Sequence, residues 1–187
     1  MNRHLKVVGE GGPGKDGEKG GLDARVFRAM RTRVHPRPLE LAVIAFTVTG
    51  NYGLFWLGLS AAFWQLVEDS PPGIFVIMPL FLYLTLLANY IIKAALGRRR
   101  PAPAGEELKP LVGVPSSRSF PSSHAAMSFA AAIFMTFIHP GLWPLFLGLA
   151  LAMSWSRVYV GVHYPSDVLA GTLVGLIMGG AILWLIT

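Results

Sequence analysis

The sequence predicts an all-α protein: a polytopic transmembrane helical bundle of about five spans, with an interfacial helix at its N-terminal end. Three observations lead there. Hydrophobic residues fill 53% of the 187 positions and charged residues only 14%, against about 25% charged in an ordinary soluble domain. The charges gather in residues 1–40, 93–118 and 157–167. Between them run apolar tracts of the length a helix needs to cross roughly 30 Å of hydrocarbon.

Residues 1–21 are rich in Gly, Lys and Glu and bury too little apolar surface to offset the entropy of ordering, so they read as a disordered tail. Gly9, Gly14 and Lys15 stand at P-loop spacing. Asp16 replaces the magnesium-binding Ser or Thr, and no strand precedes, so the tail reading prevails. No apolar stretch follows the first basic residues, and no secretory signal is expected. In residues 22–38, Leu22, Val26 and Met30 share a helical face with Phe27 beside them, and Arg25, Arg28 and Arg31 surround the rest. That is the pattern of a helix lying in the membrane interface, with a plain cytosolic tail as the alternative.

Residues 39–67 can cross the bilayer once with tilt but not twice. Residues 73–96 form the second span. Residues 122–138 and 142–159 form a hairpin around the helix-breaking His139, Pro140 and Gly141, and 166–186 is the last span. In that span Gly171, Gly175 and Gly179 recur every fourth residue, a flat face on which another helix can approach closely. Five spans place the tail, the 97–121 loop and the 157–167 segment on one side, with all 16 Lys and Arg. The positive-inside rule makes that side the cytoplasm, and the expected membrane is a bacterial plasma membrane. Glu68 and Asp69 fall on the other side.

Cysteine is absent, which excludes disulfides and thiolate metal sites. A net charge of +6 could suit nucleic acid, but the basic residues flank apolar spans and no nucleic-acid module is present. The expected partners are the lipid bilayer and a phosphorylated membrane lipid.

Three polar clusters fall at membrane–water boundaries on the same side. Lys93 to Pro101, with Arg98, Arg99 and Arg100, ends the second span. Pro121, Ser122, Ser123 and His124 open the third. Ser156 to Asp167, with Arg157 and His163, joins the fourth to the fifth. Lys93, Arg100 and Arg157 supply cations for phosphate oxygens. Ser122 stands at a helix N-cap position, so the amides of Ser123 and His124 would face outward with the positive end of the helix dipole. His163 can attack phosphorus if its other ring nitrogen donates to a carboxylate, and Asp167, four residues on, is the orienting group. His124 is then free to protonate the leaving alkoxide.

These clusters resemble the three signature motifs of the type 2 phosphatidic acid phosphatase superfamily: a Lys, six residues, Arg-Pro; Pro-Ser-x-His; and Ser-Arg, five residues, His, three residues, Asp. Every motif side chain is present in order. Ser123 stands where many relatives have Gly, at a position where the family uses the backbone amide. The resemblance implies a helical membrane phosphatase domain over residues 39–187 and a phosphohistidine on His163, with neither metal nor cofactor. The implied substrate is a lipid phosphate monoester or diphosphate, such as a prenyl diphosphate or phosphatidic acid.

Competing readings are weaker. His124, His163 and Asp167 could imitate a two-His, one-carboxylate metal site, but Lys93, Arg100 and Arg157 around the same point would repel a divalent cation. A non-catalytic lipid-phosphate binder or transporter would lack the nucleophile or the acid, and neither is missing. The vanadate-dependent haloperoxidases of the superfamily are larger and soluble. Arg98 and Arg99 read as membrane anchors, with Arg118 and Ser119 undecided. Trp143, Trp155, Tyr159 and Tyr164 fit an aromatic belt or packing, and Tyr52 and Trp56 read as packing before a lipid path.

Overall fold

A computed structural model describes residues 21–31, 36–67, 70–96, 98–101 and 109–187, without the side chain of Arg31. The Gly-rich tail with its P-loop-like spacing, and the Glu68–Asp69 pair, lie outside the described residues. Among those residues there is no strand, and seven α-helices are present. They are α1 (Leu22–Arg31), α2 (Arg37–Thr49), α3 (Leu54–Leu66), α4 (Gly73–Leu96), α5 (Ser123–Ile138), α6 (Trp143–Tyr159) and α7 (Pro165–Ile186).

The expectation of one continuous first span is corrected. Residues 39–67 form two helices, α2 and α3, bent by 65° at a break over Asn51–Gly53. Gly53 adopts φ 76° and Tyr52 φ 55°, left-handed values that no α-helix carries through. The all-helical fold stands, but among the described residues only α4 and α7 are singly long and apolar enough to cross a membrane, with the bent pair as a third. With 16 and 17 residues, α5 and α6 reach only about 24–26 Å at 1.5 Å per residue.

Helix α5 is the centre of the bundle, packed against α7, α6 and α4. Ten of its residues are buried, five of them Ala. Small side chains let neighbours come close, and α7 does so along the predicted glycine stripe. A Cβ at Gly171 would strike the Ser122 carbonyl oxygen, and one at Gly175 the Ala126 carbonyl oxygen. One at Gly179 would lie 2.9 Å from the Ala130 Cα. Large side chains fill the remaining side: Phe81 of α4 stacks on Phe134 of α5 with ring centroids 4.7 Å apart. Trp56 is buried and donates to the Ser128 hydroxyl at 2.9 Å, so it is core.

Helix α1 packs on α6 and α7, with its apolar residues divided. Phe27 and Met30 turn inward against Val158, Tyr164 and Val168, while Leu22 and Val26 point outward. The expected single apolar face is therefore two faces, because the helix has protein on one side.

The stripe yields a paired test. Gly175→Val should destabilise by about 1–3 kcal/mol or more through overpacking against α5. Gly180→Val, where a Cβ meets nothing within 4 Å, should leave the detergent melting temperature nearly unchanged.

Candidate active site

One end of the bundle gathers the C-terminal ends of α4 and α6 with the N-terminal ends of α5 and α7. The Ser122 amide donates to the Asp167 carbonyl at 2.9 Å, which ties the starts of α5 and α7 together. After α6, Gly161 at φ 84° reverses the chain, so Arg157 and His163 reach the same space. The result is a cavity of about 310 Å³ lined by Lys93, Arg100, Ser123, His124, Arg157 and His163. Six of the eight predicted site residues therefore share one wall. The other two, Ser122 and Asp167, are fully buried behind it.

Each cation is fixed by oxygen acceptors. Lys93 Nζ donates to the Arg118 carbonyl at 3.2 Å. Arg100 donates from Nε to the Ser117 carbonyl and from Nη1 to the Val162 carbonyl, both at 2.9 Å. Arg157 Nη1 donates to the Thr47 hydroxyl at 2.8 Å, and its Nε is buried with no partner among the described residues. Burial lowers the pKa of Arg100, with Asp167 opposing the shift.

The tautomer of His163 follows from its neighbours. Arg100 Nη1 lies 3.2 Å from His163 Nε2. A guanidinium can only donate, so Nε2 carries the lone pair and Nδ1 the proton. That Nδ1 faces Asp167 Oδ2 at 3.6 Å, which is electrostatic reach but too long for a hydrogen bond. Burial pushes the His163 imidazole down to about 3, Asp167 opposes this, and Arg100, Arg157 and Lys93 push it further down. His163 is neutral at physiological pH, the state in which an imidazole can act as a nucleophile.

Ser122 is the N-cap of α5 by backbone position, but its hydroxyl does not cap the helix and has no partner among the described residues. His124 Nε2 is likewise buried without a partner. Ser123 Oγ accepts from Asn89 Nδ2 at 2.8 Å. Buried unpaired polar atoms around a cationic cavity are what an incoming anion would satisfy. Among the described residues, no three His, Cys, Asp or Glu are grouped to hold a metal ion.

The pattern that defines the PAP2 superfamily matches residues 74–187. The chain belongs to the PAP2 superfamily. Among its relatives is a decaprenylphosphoryl-5-phosphoribose phosphatase of Mycolicibacterium smegmatis, 32% identical over 81% of this chain and 81% of that protein. Another is the lipid A 4'-phosphatase of Bacteroides thetaiotaomicron, 28% identical over 65% of this chain and 69% of that protein. Some further relatives are matched over about half of their own length. The crystal structure of Aquifex aeolicus LpxE superposes with a TM-score of 0.70 at 27% identity, covering 89% of this chain and 97% of that one.

Several residues of this PAP2 site lie outside the three motifs. Thr47 holds Arg157, Asn89 holds Ser123, and Asn51 and Tyr52 line the cavity from the break in the first span. The break carried a sequence signal, two glycines bracketing Asn51 and Tyr52 inside an apolar run. A Cβ at Gly50 would lie 2.6 Å from Met153 Sδ and 2.7 Å from His124 Cδ2, so any larger residue there would have to displace those side chains. Arg98, expected to anchor the membrane, instead donates to Asp23 and Asp167. Arg99 is exposed. Ser119 is buried and ties Arg98 and Arg99 to the 109–121 loop, and the Arg118 carbonyl serves Lys93 and Arg100. Of the aromatic residues, Tyr159 is buried, Trp155 packs on it, and Tyr164 packs on Phe27; Trp143 is exposed.

The neutral His163 predicts a pH dependence of stability. Between its ordinary 6.5 and about 3, the unfolded chain takes up a proton at this ring that the folded protein refuses. This stability is complete above 6.5 and is lost as pH falls. Going from pH 7 to pH 5 should cost the wild type ~2 kcal/mol more than His163→Asn, measured by unfolding in detergent.

Proposed function

We propose that this PAP2 phosphatase hydrolyses a lipid phosphate monoester or diphosphate through a phosphohistidine on His163. The observation that carries the reading is the arrangement around one ring: a lone pair on Nε2 at a cationic cavity, with a carboxylate behind Nδ1. A phosphoryl oxygen competes with Nε2 for the Arg100 Nη1 donor and so frees the lone pair. Nε2 then attacks phosphorus in line, and the bond from phosphorus to the lipid oxygen breaks. Lys93, Arg100, Arg157 and the α5 amide of Ser123 stabilise the equatorial oxygens, while Ser122, buried behind the wall, is not among the groups that reach them. His124 protonates the departing lipid oxygen, then takes a proton from the water that cleaves the phosphohistidine, regenerating His163 and releasing phosphate.

The cavity's other wall suits the lipid side of the substrate. Leu86, Met127, Tyr52 and Tyr90 border the polar cluster, so a tail can leave along apolar surface while the phosphate meets the cations. Relatives that act on decaprenylphosphoryl-5-phosphoribose and lipid A support a lipid of this general kind, with prenyl diphosphate and phosphatidic acid as first candidates. In the same reading α2–α3, α4, α5, α6 and α7 make five membrane passages, α1 lies at the interface, and the site opens to the cytoplasm of a bacterial cell.

Purified protein should release phosphate from such lipids in EDTA, and His163→Ala should lower kcat by at least about a thousandfold. Activity that needs a metal, or that survives His163→Ala, overturns the mechanism. For the membrane side, Lys109→Cys in intact cells should resist a membrane-impermeant thiol reagent. Labelling from outside reverses the assignment.

A further inference from the structure

The carboxylate behind the nucleophile is held by a chain of charges that begins outside the bundle. Asp167 sits in the first turn of α7, where its Oδ2 accepts the Tyr164 amide at 2.9 Å. Its Oδ1 accepts Arg98 Nη1 at 3.0 Å. The other end of that guanidinium, Nη2, donates to Asp23 Oδ2 at 2.6 Å. Asp23 belongs to α1, 75 residues earlier in the chain. It is fixed in turn by α7: the Ser166 amide donates to its Oδ1 at 2.9 Å and the Ser166 hydroxyl to its Oδ2. The Arg98 guanidinium also lies 4.3 Å over the Tyr164 ring. Hydrogen bonds from Ser166 and Arg98 outweigh burial and hold the Asp23 carboxyl below its usual range.

The geometry makes Asp23 a competitor for Arg98. A guanidinium facing one carboxylate tends to engage both oxygens in a fork. Here Asp23 holds Nη2 and the Ser166 hydroxyl shares Nη1, so Asp167 receives a single bond, on Oδ1, and Oδ2 stays directed at the Tyr164 amide and His163 Nδ1. Release of Arg98 from Asp23 would let both nitrogens swing onto Asp167. The carboxylate would rotate, and the 3.6 Å approach to His163 would lengthen. Neither Asp23 nor Arg98 lines the cavity, so both act through Asp167.

We propose that Asp23 and Arg98 are positioning residues for the hydrolysis, and that the N-terminal helix α1 is a working part of the active site because it carries Asp23. This rests on the reading of His163 as nucleophile and Asp167 as its orienting group. A misplacement of this kind damages the chemical step more than substrate binding.

The test measures phosphate release from a prenyl diphosphate in detergent micelles, well below each variant's melting temperature. The variants are Asp23→Asn, Arg98→Gln, the double variant, Asp23→Glu and His163→Ala. Asp23→Asn and Arg98→Gln should each lower kcat by about 10-fold to 100-fold with KM within about twofold. The double variant should be no slower than the slower single one, because both break one chain. Asp23→Glu should recover part of the loss. Wild-type kcat in folded Asp23→Asn overturns the proposal. So does a rise in KM alone, multiplication of the two single effects, or a loss that vanishes on cooling the assay. If Asp23→Asn does not fold, Asp23→Glu and Arg98→Gln decide by the same KM and kcat criteria. An active His163→Ala would instead sink the nucleophile assignment, whereas an inactive one beside a fully active Asp23→Asn sinks the positioning role alone.

Discussion

The close contact between α5 and α7 is the constraint on which the rest of the structure depends. Gly171, Gly175 and Gly179 allow α7 to lie on the backbone of α5 at Ser122, Ala126 and Ala130. At the end of that contact the Ser122 amide reaches the Asp167 carbonyl. Two helix starts are thereby joined, one carrying Ser123 and His124, the other carrying Asp167 with His163 just before it. Van der Waals contact between small residues is the available means of holding helices together in lipid, where no hydrophobic driving force separates helix from solvent. The packing that forms the bundle is thus also what sets the spacing between His163 and His124.

On that frame the protein places three cations and few compensating charges. Lys93, Arg100 and Arg157 share a cavity with two histidines, and the carboxylate of Asp167 is turned toward Arg98, Tyr164 and His163 behind the wall. Buried like charges repel, which explains why each cation is bonded to a carbonyl or hydroxyl oxygen of an adjoining segment. Neutral acceptors satisfy the donors without cancelling the charge, so the field in the cavity stays positive and an anion gains the full benefit. The 109–121 loop contributes most here through backbone oxygens at Ser117 and Arg118.

What could be read from the sequence was local. Spacing gave the helices from residue 73 onward to within a few residues, and the glycine stripe, and the polarity at the ends of the apolar tracts picked out Lys93, Arg100, Ser123, His124, Arg157 and His163, which share one cavity. The partners of those residues could not be read. Thr47 bonds Arg157 across 110 positions and Asp23 meets Ser166 across 143. Neither Thr47 nor Asp23 belongs to a motif, and a threonine in an apolar helix or an acid at a helix start has ordinary local explanations. Arg98 was misread for the same reason: basic residues at the end of a span are usually anchors, and only the fold shows that this one points at Asp167.

The break in the first span shows how a local irregularity can be required by the site. Left-handed backbone at a tyrosine costs about 1–2 kcal/mol, and interrupted helices leave amides and carbonyls unpaired, tolerated at membrane depth where they line a cavity. Asn51 and Tyr52 line this one. The 65° bend also lets the two halves serve different neighbours, α2 packing on α6 and α3 on α4. Through the first contact, Thr47 reaches Arg157 and Ser156; through the second, Gly53 comes up against Leu82. A straight helix directed along α3 would carry Thr47 away from α6, leaving the Arg157 guanidinium buried without its hydroxyl acceptor. The strain at Tyr52 is therefore offset by a cation held in place at the wall of the cavity.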